Sequence, residues 1–112
     1  MNTPFSLFVK KGNFVFISGQ IHLKGGKLFE AEIEEQTHQV MKNIQAILEK
    51  AEVSFSDVVK TTIYTTDMSL YGRVNEVYAT YFTDSFPARE MVCVKELPLG
   101  ARLEISMIAY KE

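Results

Sequence analysis

Val58-Val59-Lys60-Thr61-Thr62-Ile63-Tyr64-Thr65-Thr66 is β-branched almost throughout, and everything else in the chain arranges itself around it. Such a run suits a pleated strand and resists a helix, where branched side chains lose χ1 freedom. Before it, Ile33, Val40, Met41, Ile44, Ile47, Leu48 and Ala51 recur at spacings of three, four and seven, and this predicts a helix of about five turns. Ser54 to Asp57 separates the two. After the strand, Asp67 or Ser69 can cap a second helix with Leu70, Val74, Val77, Tyr78, Tyr81 and Phe82 on its apolar side. Pro87 closes the loop that follows.

Further out, Asn13-Phe14-Val15-Phe16-Ile17 reads as a strand that ends at Ser18-Gly19-Gln20. Ile21 to Leu23 and Leu28-Phe29 flank Lys24-Gly25-Gly26-Lys27, where paired glycines suit a tight hairpin turn. Arg89 to Lys95 and Arg102 to Tyr110 are the final strands, joined by Leu97-Pro98-Leu99-Gly100. The order β-β-α-β-α-β-β predicts an α+β domain with a mixed sheet, and right-handed crossovers put both helices on one face. The other face poses a difficulty. Phe14 to Ile17, Val58 to Thr66 and Ile105 to Tyr110 are apolar at both parities, whereas a sheet with one wet face alternates. Something must cover that face, and the pattern offers no third helix.

The 112 residues form one domain, 1–112, with no repeat or linker. Hydrophobic residues make up 46%, with 8 Phe and 5 Tyr, a large apolar load for so short a chain. Lys and Arg number 12 against 14 Asp and Glu, and the interspersed charges leave no broad basic face for nucleic acid. No apolar run is long enough to span a membrane. The segment Met1 to Lys11 carries its lysines after its apolar stretch, unlike a signal peptide, so the cytoplasm is the expected location. The single cysteine, Cys93, reads as a buried strand residue in a reducing compartment.

His22, His38 and Cys93 have no structural-zinc spacing, and Glu34 with His38, one helical turn apart, reads as a solvated pair. No metal or cofactor is expected. There is no phosphate-cradling loop and no nucleophile elbow. Two groups remain. Glu104, within Leu103-Glu104-Ile105, faces away from its aliphatic neighbours on the side of Arg102 and Ser106, and a carboxylate in such a segment is costly to bury unless paired or functional. An ordinary Arg–Glu pair, an edge charge and a site carboxylate all fit. Arg89, placed just after Pro87, has the planar fork that matches a substrate carboxylate; a plain surface arginine fits as well.

Ser18-Gly19-Gln20, Glu35-Gln36-Thr37, Val58 to Thr62, Val74-Asn75-Glu76-Val77-Tyr78, Phe86-Pro87-Ala88-Arg89, Leu97-Pro98 and Leu103-Glu104-Ile105 together resemble the Rid (YjgF) family of reactive-intermediate deaminases, from about residue 3 to 111. The resemblance implies a chorismate-mutase-like α+β subunit. It also implies a homotrimer with an active site in each cleft between subunits, and hydrolysis of 2-imino acids to 2-keto acids and ammonia without a cofactor. It assigns carboxylate binding to Arg89 and water positioning to Glu104, and puts Ser18 and Asn75 in the substrate site. Three positions depart from the common pattern: Phe5 replaces a tyrosine, Met91 a cysteine, and Glu90 adds a negative charge beside Arg89. Phe5 and Met91 are still expected to line the site. A rival reading keeps the trimer and pocket as a binding or regulatory module for a 2-keto acid, with little turnover. Ribonuclease activity, attached to some relatives, fits poorly with this charge pattern.

Overall fold

The computed structural model describes residues 3–112; Met1 and Asn2, where the segment read for a leader begins, lie outside them. β1 (Phe8–Lys11) and β2 (Phe14–Ile21) form a hairpin. β3 (Leu23–Lys24) and β4 (Lys27–Leu28) make a minimal second hairpin whose turn residues, Gly25 and Gly26, have φ of 61° and 80°. L side chains disfavour that region, and the paired glycines are there for this reason. α1 (Ile33–Lys50), β5 (Val58–Thr65), α2 (Tyr71–Ala79), β6 (Ala88–Cys93) and β7 (Leu103–Tyr110) follow. No described helix is long and apolar enough to cross a membrane.

The strand order is β1-β2-β7-β5-β6, antiparallel except for the parallel pair β5–β6. The parallel pair is the one joined through α2, as a crossover requires. Both helices lie on one face. There Val40, Met41, Ile44 and Leu48 of α1 and Val74 and Tyr78 of α2 meet Val15, Ile17, Ile63, Leu103, Ile105 and Met107 of the sheet. A one-turn helix, Met68–Leu70, leads into α2, and the Asp67 carboxylate caps it by accepting from the Ser69 N–H at 2.9 Å. Hydrogen bonding from Ser69, by its side chain and then its backbone N–H, lowers the Asp67 pKa. Arg73 of α2 ties the two helices together, donating to Glu34 at 2.7 and 2.8 Å and to Glu32 at 3.0 Å.

Several expectations need correction. β1 carries no signal in the sequence because Phe8-Val9-Lys10-Lys11 is short and half charged, the usual composition of an edge strand. β2 does not stop at Ser18-Gly19-Gln20 but passes through it with a bulge, since its register against β7 shifts between Ile17 and Gln20. Tyr81 and Phe82 lie past the end of α2 and still pack on the core, beside Phe55. Cys93 is exposed, because it ends β6, an edge strand with a neighbour on one side only.

The opposite face of the sheet is open. Val9, Phe14, Phe16 and Tyr110 are exposed large apolar side chains there, with Phe14 and Tyr110 edge to face at 4.9 Å. Ile108, paired with Phe16, continues the patch. The chain exposes 6772 Å². A compact monomer of this mass is expected to expose roughly 6,300 Å². Both parities of these strands are apolar because both faces want cover, and only one receives it within the chain.

A candidate active site in two halves

Arg89 lies at the start of β6 and pairs across the ladder with Thr61, which is fully buried, so its side chain is on the helix side of the sheet. Its guanidinium carbon sits 5.5 Å from the Tyr71 ring and 5.4 Å from the Tyr78 ring, and Nη2 donates to the Tyr71 hydroxyl at 3.3 Å. Nη1 is buried and has no hydrogen-bond partner among the described residues. An N–H of a permanent cation without an acceptor is costly, so the arrangement suits an anion that supplies one. Beside it opens a cavity of about 210 Å³ lined by Asn75, Tyr78, Ala79, Phe86, Pro87 and Arg89. Tyr71, Asn75 and Tyr78 follow one another at four and three residues, which puts them on one stripe of α2. The Tyr78 hydroxyl donates to Thr61 Oγ1 at 3.0 Å, anchoring that stripe to β5.

Glu104 belongs to the other face. It pairs with Tyr64 of β5, in the same row series as Thr62–Ser106 and Lys60–Ile108, all half-buried on the open side. No described residue bonds to its carboxylate, and burial pushes its pKa up from 4.5. Gly19, in the β2 bulge, makes the room: a Cβ there would come within 2.8 Å of the Glu104 carboxyl carbon. The sequence reading treated Ser18-Gly19-Gln20 as the end of a strand and missed this role. A glycine inside a strand pattern is the signal that marks such close approach.

The remaining expected residues divide between these places. Asn75 is on the Arg89 side, and its side-chain amide makes no bond among the described residues. Met91 shares Arg89's face but packs against the core opposite Ile63 and does not line the cavity. Glu90 points the opposite way and is bound by Lys60 at 3.1 Å, so its charge does not stand beside the Arg89 guanidinium. Adjacent residues of a strand face opposite sides. Ser18 donates its hydroxyl to the Ser6 carbonyl at 2.6 Å, pinning the segment that carries the exposed Phe5.

Arg102 is not on the Glu104 side. It precedes β7, so strand alternation does not govern it, and its side chain donates to Gln36 Oε1 at 3.0 Å and to the Ala31 carbonyl at 3.3 Å. The pairing of Arg102 with Glu104 is therefore absent. The histidines serve the framework: His22 Nε2 accepts from the Arg102 N–H at 3.1 Å, which places its proton on Nδ1 facing the Phe29 carbonyl, also at 3.1 Å. His38 bonds to the Tyr81 hydroxyl at 2.8 Å, while the Glu34 carboxylate is held by Arg73. Arg89 and Glu104 are thus on opposite faces of one sheet, with β5 between their strands.

Residues 1–111 match the model of the family described as Endoribonuclease L-PSP. A RutC family protein of Pyrococcus horikoshii is 50% identical over 97% of this chain and 88% of its own. The mouse protein named 2-iminobutanoate/2-iminopropanoate deaminase is 43% identical over 95% of this chain and 80% of its own. Among solved structures, a putative endoribonuclease of Thermotoga maritima superposes with a TM-score of 0.95 at 47% identity, covering 98% of this chain and 88% of that one. The fold is the expected α+β, chorismate-mutase-like one, and the chain belongs to the YjgF/RutC/Rid family.

Proposed function

We propose that the protein hydrolyses 2-imino acids to 2-keto acids and ammonia, at sites that two copies of the chain build together. The observation that carries this reading is the buried, unpartnered Nη1 of Arg89 at the mouth of a small cavity, a seat for a carboxylate. Glu104 supplies the complementary group, a carboxylate that has no partner among the described residues and whose pKa burial raises. A single chain holds them on opposite faces of its sheet, so one substrate meets both only when the open face of one copy lies against the Arg89 edge of another. The apolar open face gives such an assembly its driving force. The family resemblance implies a trimer for this assembly. The name of the mouse relative, and that of an Arabidopsis relative called Reactive Intermediate Deaminase A, favour the same chemistry.

In this mechanism Arg89 holds the substrate carboxylate in two charge-assisted hydrogen bonds. Glu104 accepts a proton from water as the water oxygen bonds to the imine carbon. Glu104 passes that proton to the imine nitrogen, giving the neutral carbinolamine; it then takes the carbinolamine hydroxyl proton and hands it to the same nitrogen as the carbon–nitrogen bond breaks, so that ammonia leaves as the keto group forms. Glu104 ends as it began. Free imines already hydrolyse in water, so positioning and one base suffice, the base contributing about 10²–10⁴-fold.

The test is to generate 2-iminobutanoate with a threonine dehydratase and follow its loss with and without the protein. Acceleration is expected, abolished in Arg89→Ala and falling about 10²–10⁴-fold in Glu104→Gln. Arg89→Lys should fail as well, because a point charge does not reproduce a two-pronged contact. No acceleration, with keto acids still raising Tm through Arg89, would replace the enzyme with a keto-acid binding module. Gel filtration at three times the chain mass is expected.

A further inference from the structure

We propose that the cavity beside Arg89 is a side-chain pocket selecting 2-imino acids with apolar side chains of more than one carbon, and that Ala79 sets its depth. The inference rests on the reading of Arg89 as the carboxylate seat. From that seat the cavity is walled by the Tyr78 ring, Ala79, Phe86 and Pro87, with the Asn75 amide beside Arg89; the Tyr78 hydroxyl is taken up by Thr61. Ala79 follows Asn75 by four residues, so the two stand one above the other on the face of α2 turned to β6. A methyl at 79 leaves the space open; a larger side chain would occupy it.

Charge selection follows from the same geometry. The Arg89 guanidinium gives one N–H of Nη2 to Tyr71 and its free N–H groups, Nη1 foremost, to the substrate carboxylate, and among the described residues no second cation lines the cavity to receive an acidic side chain. The nearest carboxylate in sequence, Glu90, is turned to the opposite face and bound by Lys60, so a basic side chain finds no partner either. A charged group buried against those walls without a partner is strongly disfavoured. Apolar atoms gain about fourfold in affinity for each methylene removed from water.

The experiment measures kcat/KM for imines released in situ by an amino-acid oxidase from alanine, 2-aminobutanoate, leucine and glutamate. The expected order rises from alanine to leucine, with the glutamate product at least tenfold below leucine's. In Ala79→Leu the leucine-to-alanine ratio should fall at least tenfold. In Phe86→Ala, where the replaced ring is 64% exposed and its loss leaves the core intact, the ratio should also fall. A flat substrate profile, or an Ala79→Leu variant with an unchanged ratio, overturns the pocket. Should the protein accelerate no imine at all, the hydrolytic reading fails, and the pocket is then judged by Tm shifts with keto acids. 4-methyl-2-oxopentanoate should stabilise the protein more than pyruvate does, and Ala79→Leu should remove the difference; equal shifts overturn it.

Discussion

Glu104 is the second residue of β7, with no described cation or donor on its carboxylate, and burial raises its pKa from 4.5. Below that ordinary value the group is protonated in both folded and unfolded chains and has no effect. Above it, the unfolded chain releases the proton while the folded one still holds it, so stability falls as pH rises from that ordinary value and the loss is complete once pH passes the raised native pKa. Glu104→Gln is therefore expected to raise Tm at about pH 7.5 and to leave it unchanged below about pH 4. Scanning calorimetry at both values checks this, and a lower Tm at neutral pH would mean that the carboxylate has a stabilising partner. The carboxylate was legible in the sequence, as an acid among aliphatic neighbours in a strand. Gly19's part in accommodating it was not, because their contact exists only once β2 and β7 pair with a bulge. Arg102 misled for a related reason: alternation was extended one residue beyond the strand.

At the scale of elements, α2 carries the proposed binding half of the site, and besides its core packing it is tied to the sheet by the Tyr78–Thr61 hydroxyl pair at 3.0 Å. Both residues are buried, with Thr61 fully so. Tyr78→Phe leaves the Thr61 hydroxyl without its donor and is expected to cost about 1–3 kcal/mol, read from the urea midpoint. The ring that faces Arg89 is kept, so keto-acid binding should survive in the folded fraction; loss of both would give the hydroxyl a direct part in the seat. α1 could be read from the sequence because it repeats one period along its length, and β5 and β7 because each is a run of 8 residues rich in β-branched or apolar side chains. β1 has 4 residues, too few for a period to show against its lysines, and its place is set by pairing with β2. The stripe Tyr71, Asn75, Tyr78 was in plain view as helical spacing, yet aromatic residues at that spacing read first as core. Only β6, arriving in parallel beside β5, turns them into the walls around an arginine.

For the whole molecule, the apolar open face was legible as a surplus: strands apolar at both parities and helices enough for one side. What lies on it could not be read from periodicity, since a pattern says that a face is apolar and not what meets it. The separation of Arg89 and Glu104 by the sheet then has a genetic consequence. If each site takes its arginine from one copy and its carboxylate from the next, the two defects are complementable. Arg89→Ala and Glu104→Gln chains, each inactive alone, should regain turnover when unfolded together and refolded as mixed rings. In a random mixture of equal parts, about a quarter of the interfaces join an intact arginine to an intact glutamate. Recovery near that fraction, absent when the two variants are merely mixed without exchange, would make the functional unit the junction between chains; a chain by itself would then carry two unmatched halves.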